Sequence, residues 1–184
     1  MLEEPGKAAT SLSYLWVQRG GTRDAPILLY DYDPSRSGEV PKQLLEGFQG
    51  FLQTDGYAGY AAVGSQPGIV HVGCWAHGRR RLHEAAKAMH ATERKARSAK
   101  ESKALQGLGF IRRLYEIERL ARDATAEERQ RLRHERSRPV MEAMRHWFDE
   151  ALPRIAPQSL TGKALAYLHR QWPKLVRVLE DGRI

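Results

Sequence analysis

Phe51-Leu52-Gln53-Thr54-Asp55-Gly56-Tyr57-Ala58-Gly59-Tyr60 is the stretch on which the reading of this chain turns. Four strand-forming residues run into a single carboxylate, and Gly56 and Gly59 break the strand just beyond it. A carboxylate at the C-terminal edge of a strand is where α/β sheets place metal and phosphate chemistry. A second apolar run, Ile69-Val70-His71-Val72, leads into Cys74-Trp75-Ala76-His77-Gly78 and then Arg79-Arg80-Arg81. An acid, then a thiol and an imidazole, then a cluster of guanidinium groups is the order expected of a metal-dependent site that handles phosphates.

Working outward, residues 13–19 and 26–32 are rich in aromatic and branched side chains, with Gly20-Gly21 between them, and predict a β-hairpin. Pro34 to Gly38 breaks the second strand. A short helix is predicted over Val40–Phe48, with Val40, Leu44, Leu45 and Phe48 on one face. A polar connector at 64–68 precedes the strand at 69–73. From His77 onward the hydrophobic period changes from two to about 3.6, through Leu82, Ala85, Ala86 and Met89, and again through Phe110, Leu114, Ile117 and Ala121. Thr125-Ala126-Glu127-Glu128 has the spacing of a capping box. Two later helices carry Val140, Met144, Trp147 and Phe148, stopped by Pro153, and Leu165, Leu168 and Trp172, stopped by Pro173. Strands first and helices after imply an α/β core carrying a helical insertion.

The chain has 184 residues, enough for one ordinary domain or for a small sheet domain with a helical appendage. Its net charge of +8 is unevenly distributed. Residues 1–64 hold five Lys/Arg against eight Asp/Glu, whereas residues 65–184 hold 25 against 14. The whole basic surplus thus follows the Asp55 strand and favours a polyanionic partner, DNA or RNA, over a merely soluble basic helical surface. No run of 18 apolar residues predicts a membrane span, and nothing at the N-terminus reads as a secretory signal. A single cysteine excludes an internal disulfide and fits a reducing, cytoplasmic setting.

These residues also carry a family resemblance. The string Leu52-Gln-Thr-Asp-Gly-Tyr-Ala-Gly-Tyr60, the Cys74–His77 step with its arginines, and Ser35-Arg-Ser-Gly-Glu39 resemble the central domain of insertion-sequence-66 family transposases. So do Glu4-Pro5-Gly6 with Ser13–Val17, Leu114–Arg119 and Leu179-Glu-Asp-Gly182, in order along essentially the whole chain. The resemblance implies a ribonuclease-H-like mixed sheet with an all-α insertion between the second Asp and the final Glu of an Asp-Asp-Glu set. Asp55 falls on the second Asp. The first Asp, with its strand, is expected upstream of Met1, and the final Glu beyond Ile184. The expected organisation is then an incomplete catalytic core over residues 1–90 and a helical insertion over residues 91–184.

The resemblance further implies DNA transposition, with metal-dependent cleavage and strand transfer at an element's ends. Asp55 would be a catalytic metal ligand for Mg²⁺ or Mn²⁺, in an enzyme working as a possible homo-oligomer near the nucleoid. Two metal ions sit roughly 3.5–4 Å apart and need carboxylates from separate elements. One acid alone therefore predicts a chain that holds no ion tightly and is inactive by itself. Arg79, Arg80 and Arg81 fan about 100° apart at a helix start and are candidates for positioning DNA phosphates. The alternative for them is a solvated face with an arginine paired to Glu84. Cys74 and His77 have half the spacing of a zinc site, and no second pair completes four ligands. They read as structural groups near the site, bracing the start of the helix.

Duller readings stand beside these. Asp55 before Gly56 is a common turn opener. Asp31 and Asp33 share a strand face and could pair on a metal, yet they sit just before Pro34, where acids start turns. The Arg94–Lys100 run can be a solvated helix, and Gly162-Lys163 lacks the spacing of a phosphate loop. A different class of function, a non-catalytic basic DNA-binding module, would show salt-sensitive binding without nicking. A purely structural domain would not bind DNA at physiological salt.

Overall fold

The computed structural model describes residues 12–22, 25–88 and 102–184. The expectations that fall on Glu4-Pro5-Gly6, Met89 and Arg94–Lys100 lie outside these residues. Among the described residues the architecture is mixed α/β: two small sheets, each of two strands, and mostly helices. The chain separates into two compact units, residues 1–49 with 57–69 and residues 50–56 with 70–184.

In the first unit the predicted hairpin forms. β1 (Tyr14–Gly21) and β2 (Pro26–Asp33) pair antiparallel, with Leu15 opposite Tyr32, Val17 opposite Tyr30 and Arg19 opposite Leu28. Alternate residues of a strand face opposite sides. One face carries Trp16, buried against Tyr57 and Tyr60 with ring centroids 6.4 and 5.9 Å away. The other face presents Leu15, Val17, Leu28, Tyr30 and Tyr32, all exposed. Asp31 accepts a hydrogen bond from the Gln18 amide at 3.0 Å. Asp33 accepts one from the Ser35 N–H at 2.6 Å, so it opens the turn after β2. The Arg36 guanidinium lies 4.3 Å from the Tyr57 ring centroid, and the Tyr57 hydroxyl donates to the Arg36 carbonyl.

α1 (Glu39–Leu44) buries Val40 and Pro41, but it ends four residues before the predicted Phe48. The Phe48 N–H donates to the Leu45 carbonyl at 3.1 Å, a tight turn in place of a helical bond, and Phe48 is exposed. The periodicity of four apolar residues was too short to fix where the helix stops. The 3₁₀ turn Ala58–Tyr60 and α2 (Ala61–Gly64), which buries Val63, complete this unit.

In the second unit β3 (Gly50–Thr54) pairs with β4 (Ile69–Gly73). The two are pinned by a hydrogen bond between the Thr54 hydroxyl and His71 Nε2 at 2.9 Å, with both residues buried. The helices follow: α3 (Trp75–Lys87), α4 (Lys103–Leu120), α5 (Ala126–Leu132), a π-helical turn (Arg133–Ser137), α6 (Arg138–Ala151) and α7 (Leu160–Leu175). The capping box at α5 closes in both directions: Thr125 Oγ1 accepts from the Glu128 N–H at 3.2 Å, and Glu128 returns the bond at 2.9 Å.

Leu82, Ile111, Leu114, Met144, Phe148, Leu165, Leu168 and Leu175 form one core, each no more than 6% exposed. Trp147 and Trp172 belong to its packing, as their helical spacing predicts, with Trp172 edge-on to Phe148 at 5.4 Å. α7 does not stop at Pro173. The proline removes the N–H that would bond the His169 carbonyl, and the burial of Trp172 and Leu175 on either side of it offsets that loss. Tertiary packing overrides the local break. α3 lies close against α7 because Gly78 has no side chain: a Cβ there would overlap Leu168.

Arg133, 3% exposed, ties the far end of the chain to this core. It forms a bidentate pair with Glu118 at 2.8 and 2.9 Å and donates to the carbonyls of Val178, Asp181 and Ile184. Arg129 adds a bond to the Gly182 carbonyl at 2.9 Å. Four acceptors satisfy a charge that would otherwise be costly to bury.

Two expectations follow. Phe148→Ala deletes the largest fully buried side chain of the helical core and should cost about 3–5 kcal/mol, measured by urea unfolding of the helical signal. His71 is held neutral: burial first, then the charges of Lys174 and Arg177, lower its pKa from 6.5 to about 4. Between those values the unfolded chain binds a proton that the folded chain refuses, so stability present above pH 6.5 is lost as pH falls toward 4. From pH 7 to pH 5 the loss should be about 2 kcal/mol. His71→Gln should flatten that part of the stability–pH profile, and an unaltered slope would count against a neutral buried His71.

Candidate functional site

β3 delivers Asp55 as the first residue past its end, with the side chain exposed. The turn that follows is built to hold that position. Gly56 has φ +83°, a left-handed conformation that L side chains rarely adopt. A Cβ there would also lie 2.8 Å from the Tyr167 hydroxyl and 3.1 Å from Gln171 Cδ. The Gly56 N–H is directed at Thr54 Oγ1, at 3.4 Å. With that oxygen accepting, its proton is available to His71 Nε2, which suits the neutral ring.

Tyr167, on α7 and 4% exposed, reaches this turn. Its hydroxyl donates to the Asp55 carbonyl at 2.7 Å, and the Arg81 guanidinium sits 4.2 Å from its ring centroid. One phenol thus touches both the acidic turn and a cation of α3. Burial raises the Tyr167 pKa, Arg81 lowers it, and the Asp55 charge raises it. The phenol therefore stays a donor, and it senses both charges.

α3 supplies the other residues singled out by sequence. Cys74 is its N-cap, extended in backbone, and its carbonyl accepts from the Gly78 N–H at 3.4 Å in the first helical bond. Trp75 anchors the same turn by donating its indole N–H to the Leu175 carbonyl at 3.1 Å and by an edge-on contact with Trp172. His77 follows one turn before Arg81, with Nδ1 buried and no hydrogen-bond partner among the described residues. Gln171 Oε1 is likewise buried and unpartnered. Tyr115, on α4, has its pKa raised by burial and then by Cys74, and lowered by Arg79.

The three arginines separate in role. All are exposed on α3, and no ion pair to Glu84 forms among the described residues. Arg81 lies over the Tyr167 ring at the Asp55 turn, and Arg79 is close enough to Tyr115 to lower its pKa. Asp31 and Asp33 serve the hairpin and its turn. Gly162 and Lys163 lie in the first turn of α7, where Ser159 caps the helix by accepting from the Gly162 N–H at 3.0 Å. Tyr167 and Gln171 were not among the sequence candidates. Both sit on a helix 112 or more residues from Asp55 with ordinary amphipathic spacing, and only the fold brings them to the strand end.

Among the described residues no three His, Cys, Asp or Glu side chains gather as a metal-binding group. Asp55 offers one hard carboxylate ligand of the type Mg²⁺ or Mn²⁺ takes. A pair of bridged ions needs more carboxylates than these residues bring together, so they do not fit that centre unaided. A cavity of about 630 Å³ opens elsewhere in the helical unit, lined by His134, Arg138, Arg145 and Trp172 among others, and none of the Asp55 residues borders it. No described helix is long and apolar enough to cross a membrane.

The uncharacterized protein y4jD of Sinorhizobium fredii (strain NBRC 101917 / NGR234) is 30% identical over 192 residues, covering 98% of this chain and 36% of that relative. The uncharacterized proteins y4qI and y4hP of the same strain are 29% and 33% identical, over 98% and 90% of this chain. The chain spans about a third of the length of these curated relatives. No solved structure matches it. The family described as "Transposase IS66 family" matches residues 1–184, the whole chain, and the chain therefore belongs to the IS66 transposase family.

Proposed function

We propose that the chain supplies the second catalytic Asp and the helical insertion of an Asp-Asp-Glu DNA transposase. Asp55 is the observation that carries this: an exposed carboxylate at a strand end, in a turn fixed by Gly56 and Tyr167, with arginines on the adjoining helix. In this reading residues 1–90 belong to a ribonuclease-H-like core and residues 91–184 to the insertion. The exposed apolar face of the β1–β2 hairpin suits strands that belong to a larger assembly than the two-stranded sheet they form here.

The reaction proposed for the whole enzyme is hydrolysis and strand transfer of phosphodiesters at the element's ends. A divalent metal would supply the activated oxygen nucleophile. Asp55 would be one of its ligands, the others coming from parts of the protein beyond the described residues. This chain's own contribution is to hold the carboxylate at a fixed place and to position DNA. Arg79, Arg80 and Arg81 are proposed as phosphate contacts, which orient a duplex without reading its sequence. Cys74 and His77 are proposed to shape the first turn of α3, so that the arginines emerge beside the acid. The basic surplus after residue 64 also suits a second reading, a DNA-binding module without chemistry.

Fluorescence anisotropy with unrelated duplexes tests the DNA reading. Arg79→Ala with Arg80→Ala should weaken binding to every duplex by similar factors and reduce the salt slope by about 1–2. Loss confined to one sequence would move the phosphate surface elsewhere. Catalysis separates the two readings. The 184-residue chain alone should not nick DNA with Mg²⁺ or Mn²⁺. In a complete transposase carrying this segment, Asp55→Asn should abolish nicking at the element's ends without loss of duplex binding. Cleavage by that variant would place the chemistry on another residue.

A further inference from the structure

Tyr167 stands where the acidic turn meets α3. Its hydroxyl holds the backbone of Asp55, while its ring carries the guanidinium of Arg81. We propose that Tyr167 is a positioning residue that fixes the Asp55 turn and Arg81 in one arrangement, so that a DNA phosphate bound by Arg81 lies beside the Asp55 carboxylate. This rests on the reading of Asp55 and the α3 arginines as a DNA-processing site.

The geometry supports the role in three ways. First, the Tyr167 bond is to a main-chain carbonyl, so it fixes where the strand end sits and leaves the Asp55 side chain exposed. Second, the turn has been shaped around the phenol, since any side chain at residue 56 would meet the Tyr167 hydroxyl. Third, the Arg81 guanidinium lies 4.2 Å from the ring centroid and also hydrogen-bonds the phenol, so Tyr167 restrains it through both face and hydroxyl. A guanidinium carries five N–H donors, so Arg81 retains donors for a phosphate beyond the one the phenol takes. Among the described residues no aromatic ring lies under Arg79 or Arg80. They would add general attraction, whereas Arg81 would set where the backbone of the DNA lies relative to the acid.

An acid beside a bound phosphate has a measurable signature even where no bond is broken. Two like charges roughly 6 Å apart in water-like surroundings repel enough to shift affinity about threefold. In metal-free buffer, Asp55→Asn should thus tighten duplex binding about threefold. Tyr167→Phe keeps the ring under Arg81 but frees the turn, and in that background the same substitution should change affinity by less than about 1.5-fold. Arg81→Ala should weaken binding in every background and remove the Asp55 effect, while Arg80→Ala should weaken binding and preserve it. Thermal melts of each variant guard against misfolding.

The outcomes are distinct. If the wild-type chain binds no duplex at moderate salt, the DNA reading itself falls. If it binds but Asp55→Asn does not tighten it, Arg81 does not bring phosphate to the acid and the inference is overturned. Equal tightening with Tyr or Phe at position 167 gives Tyr167 a packing role only and overturns its assignment. A purely structural tyrosine would lower the melting temperature and leave the coupling between the two positions intact.

Discussion

The close approach of α3 to α7 is the constraint from which the second unit's chemistry derives. It exists because residue 78 is glycine and Leu168 fills the space a side chain would take. With the helices at that distance, Trp75 can reach the Leu175 carbonyl, Leu82 enters the core, and Arg81 arrives over Tyr167. Overpacking a core by even a methyl group typically costs 1–3 kcal/mol. Here the displacement would also carry the guanidinium away from the strand end. Stability and site geometry share one contact.

Elements whose signal is local were legible in the sequence. The hairpin, the two strands around Asp55 and the capping box at Thr125 follow from alternation, turn residues and a fixed four-residue spacing, and all form. The end of α1 and the passage of α7 through Pro173 were misjudged because tertiary packing and one competing turn decide them. Asp55 stood out through its motif. Tyr167 could not, since nothing in its helix distinguishes a tyrosine that packs from one that donates to a turn on another element. Arg133 is a similar case: a single arginine in a basic stretch gives no sign that it will be buried beneath four acceptors.

Two sets of buried polar groups in the second unit are fully paired. Arg133 is satisfied by a carboxylate and three carbonyls, and Thr54 and His71 satisfy each other. Each locks one segment against another with direction, which apolar packing alone does not give. His77 Nδ1 and Gln171 Oε1 break the pattern, and both belong to the two helices that frame the Asp55 turn. Unsatisfied groups of this kind are rare in native interiors. Ser137 Oγ in the π-helical turn and Trp16 Nε1 in the hairpin unit are likewise buried without a hydrogen-bond partner among the described residues.

The hairpin's outer face bears on how the chain behaves as a colloid. Leu15, Val17, Leu28, Tyr30 and Tyr32 form a continuous greasy surface on a pair of strands, the kind of edge-bearing patch through which copies adhere. What keeps copies apart is their shared charge of +8. Added salt shortens the range of that repulsion to about 10 Å at 0.1 M and leaves the attraction between apolar faces intact. The chain is therefore best dispersed in dilute buffer, and the ionic strengths that release a basic protein from nucleic acid are those that bring its own copies together.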